Sequence, residues 1–166
     1  MKLPSPIHLP LLQLATFAAA AGSAELHPRT AGVIPPFNVT DFYGQVRPDK
    51  FDDAWWYWVE FNVTIRMGEG MAGCYAWQTT SSNTSIDTSI PVTACTEDEA
   101  IFWAFTVGEG SYGLTVGWNE SMRSILQGNT TIRGTDFQQG EDDGVQVVFY
   151  NGVGNLTLPV TQILED

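Results

Sequence analysis

Trp55-Trp56-Tyr57-Trp58-Val59-Glu60-Phe61-Asn62-Val63-Thr64-Ile65-Arg66 reads with a period of two. One set of alternate positions, Trp55, Tyr57, Val59, Phe61, Val63 and Ile65, is wholly apolar. The other set, Trp56, Trp58, Glu60, Asn62, Thr64 and Arg66, turns polar toward its far end. Successive side chains of a strand point to opposite faces, so the pattern predicts a long strand with one face on a core and the other toward water. Asn62-Val63-Thr64 is also an Asn-x-Ser/Thr triplet, the acceptor signal for N-linked glycans. Its Asn and Thr share the face opposite Val63, and a sugar has to lie outside the fold. The triplet therefore assigns the wet face independently of hydropathy.

Six of the seven asparagines open such a triplet: Asn38, Asn62, Asn83, Asn119, Asn129 and Asn155; only Asn151 does not. Ser and Thr make up roughly a sixth of the chain, so unbiased placement would give about one. The excess predicts passage through the secretory compartment, and hence an extracellular glycoprotein. Met1-Lys2 supplies a basic start and Leu9 to Ala21 an apolar run. Gly22-Ser23-Ala24 supplies small residues at a cleavage site, so residues 1–24 read as a signal peptide cut after Ala24. No stretch reaches the about 18 apolar residues of a membrane-spanning helix, and no membrane association is expected.

Outward from the alternating stretch the same rhythm recurs. Residues 25–36 hold three prolines and no periodicity and read as a flexible lead-in. Phe37 to Tyr43 begins a strand that Gly44 to Asp53 is expected to break. Further strands are expected over Cys74 to Thr79, over Pro91 to Cys95 as an edge strand, and over Ile101 to Val107 paired with Tyr112 to Trp118. In that pair Ile101, Trp103, Phe105, Val107, Tyr112, Leu114, Val116 and Trp118 face inward. Asn83 falls in a Ser/Thr-rich loop, Thr80 to Ser89, and Asn119 at a turn. Gln127-Gly128-Asn129 reads as a turn between two short strands, and Asn151-Gly152 as a hairpin closing Val145 to Tyr150 onto a strand ending near Val160. With no helical stripe, residues 37–166 are expected to form one all-β domain. It is a single compact antiparallel β-barrel or sandwich of about nine to eleven strands.

Composition removes several classes of function. Removing 24 of the 166 residues, Lys2 among them, takes the formal net charge from −12 to −13, a poor field for nucleic acid. Both histidines, His8 and His27, precede the predicted domain. Nucleophilic triads and most zinc or copper sites need an imidazole, so no catalytic residue, metal or cofactor is assigned. Cys74 and Cys95, an even pair in an oxidising compartment, predict one disulfide closing a loop of about 22 residues. The carboxylate runs Glu97-Asp98-Glu99 and Glu141-Asp142-Asp143 read as solvated connections. Trp56 and Trp58 share the wet face with Glu60 and Asn62, and adjacent surface tryptophans make them the candidate contacts for a partner or ligand, with Trp77 as a further ring.

The run Phe37-Asn38-Val39-Thr40-Asp41-Phe42-Tyr43-Gly44, the aromatic strand ending Val59-Glu60-Phe61-Asn62-Val63-Thr64-Ile65, and the pair Cys74 and Cys95 stand in one order with Phe102-Trp103-Ala104-Phe105 and Leu114-Thr115-Val116. This order resembles the Alternaria major-allergen family of small fungal secreted proteins. The resemblance covers Phe37 to about Val116. It implies a β-barrel of about eleven strands and no established enzymatic activity. It also implies a role as allergen, effector or elicitor, binding host defence proteins or small ligands outside plant cells. The chain departs from that family in lacking a second disulfide in its C-terminal half. It also has no spare cysteine near its N-terminus, so no disulfide-linked dimer is expected. The leading expectation is a secreted, non-enzymatic effector- or elicitor-like binding protein whose partner is a host extracellular defence protein. The alternative is an extracellular carbohydrate- or small-ligand-binding barrel serving the fungus, with a wall glycan as ligand.

Overall fold

The alternating stretch is β2 (Trp55–Thr64), and its apolar set is the buried one: Tyr57, Val59, Phe61 and Val63, with Ile65 just beyond the strand. The computed structural model describes residues 34–49, 54–66, 70–121 and 124–164. The expected signal peptide and residues 25–33 of the lead-in lie outside them. Ten more strands appear among the described residues: β1 (Phe37–Pro48), β3 (Ala72–Thr80), β4 (Ile90–Ala94), β5 (Ile101–Gly108), β6 (Ser111–Ser121), β7 (Ser124–Arg133), β8 (Phe137–Asp142), β9 (Val145–Tyr150), β10 (Leu156–Leu158) and β11 (Val160–Leu164). The helical content described is one 3-10 turn, Gly134–Asp136.

Two antiparallel sheets enclose the core. The first runs β3-β2-β1-β9-β8, with β10 beside β1; the second runs β11-β7-β6-β5-β4. Between them pack Phe37, Phe42, Tyr57, Trp103, Phe105 and Leu114, with Phe61 edge-on to Trp103 at 5.1 Å between ring centres. The β5–β6 hairpin has the predicted register, Ile101 opposite Trp118, Trp103 opposite Val116 and Phe105 opposite Leu114, and Gly110 turns it at φ 66°. At one edge Cys74 of β3 is bonded to Cys95 beyond β4, with Cα atoms 4.2 Å apart across 21 positions of sequence, so the predicted disulfide joins the two sheets. Beside it Thr96 and Glu97 occupy the Gly73 backbone: Thr96 N–H and Oγ1–H donate to its carbonyl, and its N–H donates to Glu97 Oε2 at 3.0 Å. At another point the chain passes from the first sheet to the second between β10 and β11, where Pro159 has no N–H to pair.

Three expectations fail, each for a physical reason. β1 does not end at Gly44. Asp41 and Phe42 together oppose Phe61, a bulge that lets the strand run on to Pro48 with its faces exchanged. Val39 points inward before it and Phe42 and Val46 after it. Asp41 takes the left-handed conformation at φ 55°, which an aspartate tolerates better than a branched residue. Second, β7 is continuous through Gln127-Gly128-Asn129, so Asn129 lies on a strand opposite Thr115 and Asn119 lies on β6 opposite Ile125. A Cβ on Gly128 would stand 2.9 Å from the Leu158 Cβ and 3.2 Å from the Phe37 ring; the glycine is there for close approach. Third, Asn151-Gly152 turns no hairpin. β9 pairs with β8 through Asp143-Gly144, whose φ values of 51° and 77° give the mirror-image turn favoured in hairpins. Tyr150 Oη, lying over Gly152, donates instead to the Val153 carbonyl at 2.9 Å.

Substituting Gly128→Ala separates the two readings of that glycine. Overpacking against Leu158 and Phe37 is expected to cost about 1–3 kcal/mol in urea denaturation, whereas a glycine serving an open turn would tolerate alanine at well under ~1 kcal/mol.

Candidate functional site

The outer face of the first sheet carries three cross-strand rows set by the register. Gln45, Trp58 and Trp77 form one, Tyr43, Glu60 and Tyr75 the second, and Arg47, Trp56 and Thr79 the third. The rows exist because the bulge in β1 turns Tyr43, Gln45 and Arg47 outward, because β2 alternates, and because inward-facing Cys74 leaves Tyr75 and Trp77 of β3 outside. Trp56 packs on Trp77 at 4.3 Å between ring centres, and its indole N–H donates to Asp49 Oδ2 at 2.6 Å. Trp58 lies 6.2 Å from Tyr43. Burial raises the Tyr43 phenol pKa, the carboxylates of Asp142 and Glu60 add to the rise, and Arg47 partly opposes it.

Trp56 and Trp58 are thus on the predicted face, but their neighbours half-bury them. The bare rings are on β3: Trp77 is 51% exposed and Tyr75 46%. Trp77 is the further ring of the sequence reading, and Tyr75 lies outside its candidates, although the inward parity of Cys74 fixes both outward. Below them a cavity of about 290 Å³ opens between Asp41, Glu60, Asn62, Gly73, Tyr75 and Thr96. Asn62 donates from Nδ2 to Asp41 Oδ2 at 3.1 Å, which ties the polar end of this face to the bulge.

The other triplet asparagines, Asn38, Asn83, Asn119, Asn129 and Asn155, are exposed; Asn62 is half-buried. The carboxylate runs lie at the surface, with Glu97, Asp98, Glu99, Glu141 and Asp143 exposed and Asp142 half-buried, and they also make local bonds. Glu97 bonds the Gly73 N–H, Asp98 Oδ1 accepts from the Ala100 N–H at 2.9 Å, and Asp142 lies 3.7 Å from Arg47. Among the described residues no group of three His, Cys, Asp or Glu converges as a metal site would require.

At one end of the sandwich, residues 81–89 fold back over the core. Ile86 is buried, and the Tyr57 hydroxyl donates to the Thr88 carbonyl. Asp87 organises the segment. It accepts from the Ser81 hydroxyl, from Thr80 Oγ1 at 2.5 Å, from Thr88 Oγ1 at 3.0 Å and from the Ser81 N–H at 3.2 Å. The Ser81 and Thr80 hydroxyls, opposed by burial and helped by the Thr88 hydroxyl and the Ser81 N–H, hold its carboxyl below the ordinary value of 3.8, at about 2. Next to it a cavity of about 460 Å³ is bordered by Ile86, Asp87, Val107, Tyr112 and Phe137.

No protein-family model and no curated protein matches this chain. Among solved structures it is similar to the crystal structure of the Alternaria alternata major allergen Alt a 1, with a TM-score of 0.49 and 14% sequence identity. The match covers 79% of this chain and 96% of the allergen chain.

The Asp87 network has a defined pH signature. A carboxylate whose folded pKa is depressed contributes stability that is complete above its unfolded value, 3.8, and is lost as pH falls through about 2. Limited proteolysis across residues 81–89 is therefore expected to stay slow down to about pH 4 and to quicken below it. Asp87→Asn should cut quickly at pH 7 as well, with a flat profile through the acid range.

Proposed function

We propose that the chain is a secreted, non-enzymatic binding protein that acts outside the cell, and that the outer face of its first sheet is the contact surface. The observation that carries this reading is the cluster of Trp56, Trp58, Trp77 and Tyr75. Flat rings held in register offer a large apolar area at little cost in side-chain entropy, and the Trp56 N–H, already given to Asp49, holds one of them in place. Two strands of one sheet hold them, so the surface is pre-organised. The expected leader and the six Asn-x-Ser/Thr triplets support the extracellular setting. The fungal and plant-host setting follows the family resemblance of residues Phe37 to Val116, and with it the partner proposed first is a host extracellular defence protein, the role of an effector or elicitor.

A second reading has its own observation. Tyr75 and Trp77 stand two residues apart on one strand, roughly 6.6 Å in rise, with Glu60 and Asn62 beside them as acceptors and donors for hydroxyl groups. That arrangement also fits a wall glycan, with the protein serving the fungus itself.

Mature protein immobilised and exposed to plant extracellular fluid is expected to retain a host protein directly, and Trp77→Ala to weaken that capture by about 2 kcal/mol, roughly 30-fold. Retention on a defined insoluble polysaccharide, lost in the same variant, would instead establish the second reading. Unchanged binding in a folded Trp77→Ala, Trp58→Ala double variant would remove this face from either.

A further inference from the structure

The cavity at the polar end of the aromatic face adjoins a glycan acceptor. Asn62 lines it, Gly73 stands opposite Asn62 in the β2–β3 register, and Tyr75 lies one pleat further along β3 on the same face. Gly73 has no side chain, so the space a group leaving Asn62 toward β3 would enter is bounded on that side by Thr96 and Glu97, which bond the Gly73 backbone. At about 290 Å³ the space lies at the lower limit of the roughly 300–1,000 Å³ of small-molecule sites, the scale of a single sugar. Tyr75, 46% exposed, supplies an aromatic wall, and Asp41 and Glu60 supply carboxylate acceptors for hydroxyl or acetamido N–H groups.

We propose that Asn62 carries an N-linked glycan whose first N-acetylglucosamine docks in this cavity against Tyr75, so that the sugar is a built part of the first sheet's outer face. The acceptor is already oriented for it. Asn62 Nδ2 gives one of its two N–H groups to Asp41 Oδ2 at 3.1 Å. Attachment joins Nδ2 to C1 of the sugar, releases one amide proton and expels the lipid pyrophosphate of the donor. With the sugar in place of the N–H that does not face Asp41, the remaining N–H keeps that bond and fixes the linkage. The other five acceptors are exposed and lack this enclosure; of the six, Asn62 alone is half-buried. This inference gives Tyr75 to the protein's own sugar and leaves Trp56, Trp58 and Trp77 as the open part of the contact face proposed above; its test leaves Trp77 untouched.

The full chain, secreted from a eukaryotic host, should show Asn62 occupied by glycopeptide mass spectrometry. Under native conditions peptide:N-glycosidase should release the Asn62 glycan at least about ten-fold more slowly than that of Asn83, and equally fast after denaturation. Tyr75→Ala should bring the two native rates within about two-fold. Thr64→Ala, which abolishes the acceptor triplet and leaves Asn62 and Asp41 in place, should lower Tm by about 2–4 °C more than Asn83→Gln does. An unoccupied Asn62, a native release rate matching Asn83, or equal Tm shifts for Thr64→Ala and Asn83→Gln would each overturn the proposal. The Tm comparison decides the matter even where Tyr75→Ala does not fold.

Discussion

Everything on the first sheet depends on the two residues, Asp41 and Phe42, that together oppose Phe61. β1 is the central strand, and it has to pair along one side with β2 and along the other with β10 first and β9 afterwards. The bulge marks the exchange of partners, and the Phe42 N–H it releases from the ladder is taken up by the Gly154 carbonyl at 2.9 Å. Without the extra residue the parity of β1 would continue, and Gln45 and Arg47 would enter the space that Phe42 and Val46 fill. Burying a guanidinium there without a partner costs several kcal/mol at least, far more than one left-handed aspartate. The hydrophobic pattern on the two sides of Asp41 is therefore consistent with one register only.

That dependence explains which parts of the fold could be read in the sequence. β2, β5 and β6 keep one parity from end to end, so alternation alone assigned their buried faces and the β5–β6 register. β1 changes parity in its middle, and a period-two reading sees only a strand that stops. Glycine misled in a related way. Gly128 and Gly152 look like turn residues, yet each is small because something lies over it, Leu158 and Phe37 in one case and the Tyr150 ring in the other. A turn demands positive φ and announces itself locally. Close approach depends on a residue distant in sequence and leaves no local mark. The true hairpin at Asp143-Gly144 did carry the local signature, but within an acidic run that also suits a solvated connection.

The candidate site was legible in kind and displaced by one strand in place. Trp56 and Trp58 face outward as alternation requires, but β2 has a neighbour on each side, and Trp77 and Tyr43 cover their rings. β3 is the outermost strand of its sheet, so its outward side chains receive cover from one side only, and Trp77 and Tyr75 stay bare. Exposure within a sheet face depends on strand order as well as parity. Strand order is non-local: β1 takes β9 and β10 on its far side, and β3, paired to β2 alone, is left at the edge.

The same topology separates the acceptor asparagines from the tryptophans of that face, and only Asn62 adjoins one of its rings, Tyr75. Asn119 and Asn129 lie on the outer face of the second sheet, Asn83 on the segment after β3, and Asn38 near the end of β1 that pairs with the Asn62–Thr64 end of β2. Trp58 is four residues from Asn62 along β2, roughly 13 Å, and Trp56 is further still. Sugars at all six positions would shield the second sheet and one end of the first, and the Trp56–Trp77 stack would remain open. Its surroundings restrict what could settle there. Among the described residues Asp49 and Glu60 lie beside it, and Arg47, opposite Trp56, is 3.7 Å from Asp142. Among the described residues the carboxylates there outnumber the one arginine, a field that favours neutral, hydroxyl-rich or basic surfaces over anionic ones. Charge and shielding, two properties with no common cause in the fold, point to the same end of the same sheet.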